Sequence, residues 1–204
     1  MSREAFVAAA DVSRETLDRL TVYAERLAKW NKAINLVAKP TLDHIWTRHF
    51  LDSWQLVEFV PENAQTWIDL GSGAGFPGLV VAILRPDISV TLVESDRRKA
   101  VFLSETARAT STELTVVCNR AEDIDIKADI ISARALASLS ELLKLADPLR
   151  SPGGVCLFLK GENVENELTE ANHLWHIDHE RHDSRADPRG TILSITDFHR
   201  RTDA

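Results

Sequence analysis

Long apolar runs are missing from this 204-residue chain. No stretch approaches the roughly 20 apolar residues of a membrane span, and no signal peptide precedes the first acidic residues. A soluble, cytoplasmic protein with no membrane partner is therefore expected. Cysteine is scarce, with Cys118 and Cys156 the only two. Each sits in an apolar, strand-like run, so both are expected as buried free thiols and a disulfide framework is excluded. Surplus positive charge is lacking as well. A net charge of −7 argues against a general nucleic-acid binder, which usually carries a basic surface. Metal-ligand spacing is absent too. His173, His176, His179 and His182 recur every three residues. Three-residue steps change face on a strand and no cysteine lies near, so this run is expected to hold no metal.

Charge is unevenly spread. Residues 1–60 carry eight basic and eight acidic residues, which leaves the whole deficit to the remainder. Between Arg26 and Lys39 stand Arg26, Lys29, Lys32 and Lys39 with no acid among them. Arg26, Lys29 and Lys32 are three apart and share one side of a helix. They are either a solvated face or a set of phosphate contacts to RNA.

The most informative stretch is residues 66–78, TWIDLGSGAGFPG. A strand-like run enters a glycine-rich turn, and the apolar residues 79–84 then suit a short helix. That is the first half of a nucleotide-binding βαβ unit. Gly71, Gly73 and Gly75 let the backbone approach a ligand closely. Phe76 stands where a dinucleotide fingerprint has its third glycine, which disfavours an NAD-dependent oxidoreductase. The loop suits S-adenosylmethionine, an adenosine ligand with no phosphates to cradle.

Alternation of strands and helices continues through the rest of the chain. Strands are expected at 66–70, 89–94, 114–119, 129–132 and 155–159, with two late ones near 177–182 and 191–198. Helices are expected at 77–84, 96–109, 138–149 and 164–175, and a Pro-Gly-Gly turn at 152–154. This pattern predicts an α/β fold: a doubly wound, mainly parallel, seven-stranded sheet with an antiparallel hairpin at one edge. Upstream, Ser13 can cap a helix and a second helix is expected over 42–60. Residues 1–61 thus form an N-terminal helical extension, and 62–204 the cofactor-binding domain.

Ligands of open α/β sheets bind outside the carboxyl ends of the strands. Asp69, Glu94, Ala121, Glu122, Arg134 and Lys160 all fall there. Glu94 suits the ribose hydroxyls, Asp69 the cofactor's ammonium or sulfonium, and the Ala121-Glu122 segment an adenine edge. Arg134 is either a ligand contact or half of a structural ion pair. On the second helix Arg48 and Asp52, like His49 and Ser53, are four residues apart and share a face.

DLGSGAGFPG, LVESDRRKAVFL, NRAED, ISARALASL and LFLKG occur in this order, with NLVA and RHFLDS upstream. Over about residues 35–161 the chain resembles the glucose-inhibited division protein B family, bacterial 16S ribosomal RNA guanine-N7 methyltransferases. The resemblance implies a class I methyltransferase-like fold that uses S-adenosylmethionine. It also implies methylation of one guanine in the decoding-region loop of 16S rRNA, on free RNA or a small-subunit precursor. Matching motifs would put Gly71, Phe76, Ala121, Glu122 and Arg134 at the cofactor. Glu94 joins them from the general methyltransferase pattern, Gly73 from the glycine turn and Asp69 from its place at the end of the first strand. Where many members have a proline after the loop, Leu79 is here followed by Val80.

Guanine N7 offers a lone pair and no hydrogen, so its methylation needs no general base and reduces to placement and electrostatic support. The Asn/Asp-Pro-Pro-aromatic motif of exocyclic-amine methylases is absent, as is a proline before either cysteine. His49, Arg48, Lys160 and Asn35 are the candidates for holding the guanine, which must be looped or flipped out to be reached. A monomer that needs no metal is expected. The alternatives are a methyltransferase of a small molecule or protein, and a protein that binds the cofactor without turnover.

Overall fold

The computed structural model describes residues 3–201. A short helix α1 (Arg3–Ala10) opens it, with no counterpart in the expected pattern because eight residues are too few for a period to show. Ser13 caps α2 (Arg14–Trp30), its Oγ accepting the Thr16 N–H at 3.1 Å. Leu20, Tyr23 and Leu27 are the buried face of α2.

Residues 42–60 do not form the single helix expected. They comprise the end of α3 (Lys39–Leu42), a π-helical turn (Trp46–Leu51), α4 (Asp52–Trp54) and a 3₁₀ turn (Gln55–Phe59). His49, Phe50, Leu51, Ser53, Gln55 and Leu56 are all buried, a set wider than one face of a regular helix. Changes of pitch distribute this crowded set among several neighbours.

Seven strands follow: β1 (Thr66–Leu70), β2 (Ser89–Val93), β3 (Thr115–Val117), β4 (Ala128–Arg134), β5 (Arg150–Lys160), β6 (Trp175–Asp183) and β7 (Thr191–Arg200). The helices between them are α5 (Gly78–Leu84), α6 (Arg97–Ala109), α7 (Leu139–Ala146) and α8 (Val164–Asn172). Their order in the sheet is β3-β2-β1-β4-β5-β7-β6, parallel except for β7, which runs antiparallel to both β5 and β6. The last strand of the chain is thus inserted next to the edge, and β6 pairs with it alone. Pro152 to Gly154 lie inside β5, where the expected turn is absorbed as an irregularity in the β4–β5 register. Gly153 takes φ +77 there.

Alternate residues of each strand face opposite layers. Trp67, Leu92, Ile130 and Leu157 pack with α2, α5, α6 and the N-terminal extension. Ile68, Ile131, Cys156 and Phe158 pack with α7 and α8. Phe6, Leu20, Leu27 and Phe50 are fully enclosed in the first cluster, so the extension shares the sheet's own core. Each such Leu or Phe contributes about 1.5–3 kcal/mol by burial. Cys156 is buried, and its thiol is pushed up to about 12 by desolvation. Cys118 corrects the expectation for it: β3 stops one residue earlier, and the thiol is exposed. No helix among the described residues is long and apolar enough to cross a membrane.

Candidate active site

Two clefts open at the carboxyl end of the sheet and share Ala137. The smaller, about 310 Å³, is lined by Gly71, Ser95, Ala121, Glu122 and Leu136. The larger, about 520 Å³, is lined by Thr41, Arg48, His49, Arg134, Lys160 and Asp187. Gly71 and Gly73 hold φ of +63 and +56 in the turn after β1. A side chain on Gly73 would point into open space, with Gly71 O the nearest atom at 3.7 Å, so the turn presents bare backbone there.

Glu94 organises this turn. Its Oε2 accepts Gly73 N–H at 2.8 Å and its Oε1 accepts Asp96 N–H at 2.7 Å. The side chain is buried, with each carboxylate oxygen on one of these backbone amides. Ser95, the next residue, is the one that reaches the smaller cleft.

Asp69 lies deeper. It is fully buried, with Oδ1 accepting Ser132 Oγ–H at 2.6 Å, while Ser132 Oγ accepts Trp67 Nε1–H at 2.7 Å. Its Oδ2 lies beside Gly78 and accepts no hydrogen bond of normal geometry. Burial pushes its carboxyl up to about 6 against the pull of the Ser132 and Ser72 hydrogen bonds. Asp69 is an internal brace of β1, β4 and α5, out of reach of a ligand in either cleft.

Phe76 is also inside. Its ring stacks on Tyr23 at 5.3 Å and on His49 at 4.7 Å, and Arg134 lies 4.9 Å from its centroid. The Tyr23 hydroxyl donates to Ala74 O, so α2 holds the glycine loop directly. Burial pushes that hydroxyl well above the usual tyrosine range.

Around Phe76 the extension and sheet meet in a polar cluster. Arg134 donates through one nitrogen to Asp52 Oδ2 at 3.1 Å and Arg48 O at 3.2 Å. Its other terminal nitrogen lies 3.0 Å from His49 Nδ1. A guanidinium only donates, so Nδ1 is the acceptor and Nε2 carries the proton. Nε2–H then donates to Thr41 Oγ at 2.9 Å, and Thr41 passes its own proton to Ala38 O at 2.7 Å. Both ring nitrogens are spent, and the residue is only 7% exposed. His49 thus holds Arg134 and the Phe76 loop in place at the wall of the larger cleft. Burial, and after it the Arg134 and Arg48 charges, lower its pKa to about 3.

Arg48 pairs with Asp187 at 2.5 Å, on the loop between β6 and β7, and not with Asp52 four residues away. Arg185 of that loop holds Glu58 at 2.6 Å, and its N–H donates to Gln55 Oε1 at 2.9 Å. This loop therefore clasps the extension and forms one wall of the larger cleft. Lys160 forms another part of the wall with its ammonium committed to Glu167 at 2.5 Å and Ala137 O at 3.1 Å. Glu167 also caps α7 through Leu139 N–H at 2.7 Å, so Lys160 braces the junction of the clefts.

Asn35 is not in the site. It lies in a separate notch on the far side of its own loop. Asn31 is the asparagine that shapes that loop, accepting Leu36 and Val37 N–H at 2.9 and 3.0 Å and donating to Val37 O. Arg26 is likewise withdrawn from the basic stripe by an ion pair with Glu105 at 2.8 Å. The spaced histidines do not gather: His173 ends α8, His182 stacks on Phe59 at 4.2 Å, and the β6 register shifts between Asp178 and His179. Ser95, Thr41 and Asp187 line the clefts and are omitted by the sequence reading, which names Asp52 beside Arg48 but gives it no role. Ser95 adjoins Glu94, whereas Asp187 has no local signal.

A neutral His49 predicts a pH dependence. The histidine's folded pKa is below its unfolded value, so its contribution to stability is present above pH 6.5 and is lost as pH falls toward 3. His49→Asn, which keeps an acceptor for Arg134, removes that loss from urea melts taken between pH 7 and 4. It retains a measurable share of activity, whereas His49→Ala loses much more. A histidine NMR titration for His49 near 6.5 would overturn this assignment.

The fold is that of known methyltransferases. A ribosomal protein L11 methylase from Lactobacillus delbrueckii superposes with a TM-score of 0.55 at 21% identity, covering 70% of this chain and 75% of that one. A predicted O-methyltransferase from Agrobacterium tumefaciens gives 0.57 at 17% identity over 72% and 79%. Sequence similarity is far higher to proteins named ribosomal RNA small subunit methyltransferase G. That of Rhodospirillum centenum is 54% identical over 95% of this chain and 89% of its own length. That of Parvibaculum lavamentivorans is 50% identical over 96% and 89%. The model of one family spans residues 16–188, and with these relatives it establishes that the chain belongs to the GidB family, rRNA small subunit methyltransferase G.

Proposed function

We propose that this protein transfers a methyl group from S-adenosylmethionine to N7 of one guanine in the decoding-region loop of 16S rRNA. The observation that carries this reading is the pair of clefts joined at Ala137, one bordered by the glycine turn and the other large enough for a base. Family membership supplies the substrate class.

The residues present fit the cofactor. Gly73 leaves open space where a side chain would stand, and Gly71, Ser95, Ala121 and Glu122 surround a cleft with room for an adenosine. The bound cofactor would bring a methyl group activated on sulfur. Everything else is placement. N7 has no proton to lose, so the protein needs no base, in keeping with a His49 whose nitrogens are both engaged. Arg134, expected at the cofactor, lines the larger cleft instead, where with Arg48 it would hold the guanine edge or its phosphate.

Mapping modified guanines in rRNA from cells with and without the protein tests the reaction, and no difference between them would refute it. Gly73→Val tests the cofactor site. A branched residue here enters the open space above the turn, so cofactor affinity in calorimetry falls at least 100-fold; at φ +56 it is also strained, so the urea midpoint drops by the equivalent of about 1–2 kcal/mol while the protein still folds. Wild-type affinity in this variant would remove the glycine turn from the site. Calorimetry in chelator should give the same affinity as without it, consistent with a metal-free reaction.

A further inference from the structure

Outside both clefts, a notch of about 260 Å³ is cut between the loop after α2 and the start of α6. Lys32 and Lys39 stand on one wall, Arg98 and Lys99 on the other. Asp96 is the single acid of the lining, and its Oδ1 is already occupied by the N–H groups of Arg98 and Lys99 as the cap of α6. Lys32, Lys39 and Lys99 have no carboxylate partner among the described residues, and Arg98 reaches only Asp96 Oδ2 at 3.5 Å, whereas Arg26, Arg48, Arg134, Lys160 and Arg185 are each held by a carboxylate at 2.5–3.1 Å. What sets these lysines apart is their place, facing one another with Arg98 across one concave surface. Their mutual repulsion disfavours the arrangement unless an anion enters it.

The notch is also placed with respect to the larger cleft. Residues 33–35 and Lys39 line the notch, while Leu36, Val37 and Ala38 line the cleft. One loop therefore forms the partition between them, and Asn31 pins it by three hydrogen bonds. A strand draped over that partition would lay one nucleotide in the cleft and a neighbouring phosphate in the notch.

We infer that the Lys32–Lys39–Arg98–Lys99 notch is a phosphodiester subsite that grips the RNA strand beside the target nucleotide. This rests on the RNA reading above and adds to it the point at which the backbone is held. Lysine suits the task, since a phosphate in a flexible strand is met by mobile point charges and not by a fixed fork. The α6 amides are committed to Asp96, so recognition falls to the side chains.

The test is the affinity of full-length protein for 16S rRNA and for small-subunit particles, measured against salt. Lys39→Gln/Lys99→Gln removes one charge from each wall. Arg108→Gln/Lys127→Gln, at the opposite end of the sheet, removes the same charge elsewhere. The notch variant is expected to bind RNA about tenfold more weakly and to flatten the log–log salt slope by about 0.7 for one single-strand phosphate. Its cofactor affinity, and its rate at saturating RNA, should match the wild type. The control pair should change RNA binding less than twofold. Equal losses in both pairs would show a net-charge effect and overturn the subsite, as would an unchanged slope in the notch variant. In either case wild-type methylation of rRNA leaves the function standing. A wild type that neither binds nor methylates rRNA would sink the function and the subsite together.

Discussion

Gly78→Ala should destabilise the protein by about 3 kcal/mol or more, and Gly78→Val should leave little folded material. Gly78 is buried at the first position of α5. A Cβ there would stand 2.4 Å from Leu92 Cδ2, 2.6 Å from Asp69 Cβ and 2.9 Å from Asp69 Oδ2. The leucine methyl can rotate away. The Asp69 Cβ is fixed to the β1 backbone, and its carboxylate is held by Ser132. Truncating the leucine in Leu92→Ala/Gly78→Ala should therefore relieve only part of the strain. Urea midpoints of the two single variants and the pair measure this. A Gly78→Ala protein with the wild-type midpoint would show that α5 can lift off the sheet at little cost, contrary to the packing described.

Arg134→Met is expected to lower kcat/KM for rRNA methylation by about 10²–10³-fold. The substitution keeps the length of the side chain and much of its contact with Phe76, but removes the hydrogen bonds to Asp52, Arg48 O and His49. It also leaves the Asp52 carboxylate enclosed without its cation. Burial already raises the pKa of Asp52 against the opposing pull of Arg134, and losing the arginine raises it further. A raised carboxyl pKa is a penalty that grows as pH rises through it, so the variant should be hurt more at pH 8 than at pH 5. Asp52→Asn in the same chain separates structure from function. The double variant should regain most of the stability, because no unpaired charge remains, and little of the activity, because the cleft still lacks its cation. Recovery of transfer along with stability would make Arg134 a structural partner of Asp52 and nothing more.

Local signals carried much of the fold. β1 falls on the expected residues 66–70 because a turn of glycines bounds its end, and α2 begins after Ser13 because a serine oxygen caps it. The smaller cleft was legible for a related reason: Gly71, Ala121 and Glu122 follow strand ends, and topology takes such residues to one edge. What escaped depends on partners distant in the chain. Asp69 has the motif of a ligand contact and is sealed in by Ser132, 63 residues away. Arg48 has an acid four residues on yet pairs with Asp187, 139 residues away. Gly78 does the close-packing work of the glycine missing at position 76, a displacement that only the contact between α5 and β1 reveals. Asn35 and Asn31 look alike in sequence, and the difference lies in which of them turns inward beneath the loop.

The insertion of β7 between β5 and β6 bears on the order in which the chain is synthesised. As the polypeptide emerges, β1 to β5 can assemble before the final segment exists, but β6 has no strand to join until β7 follows it. Asp187, which completes the wall opposite Arg48, lies in the same closing hairpin. A nascent chain stopped before residue 191 would therefore present two unpaired strand edges and an unfinished substrate cleft. The edge of the sheet and the wall of the larger cleft thus depend on the same last strand, which pairs with β5 and β6 and frames the loop that carries Asp187.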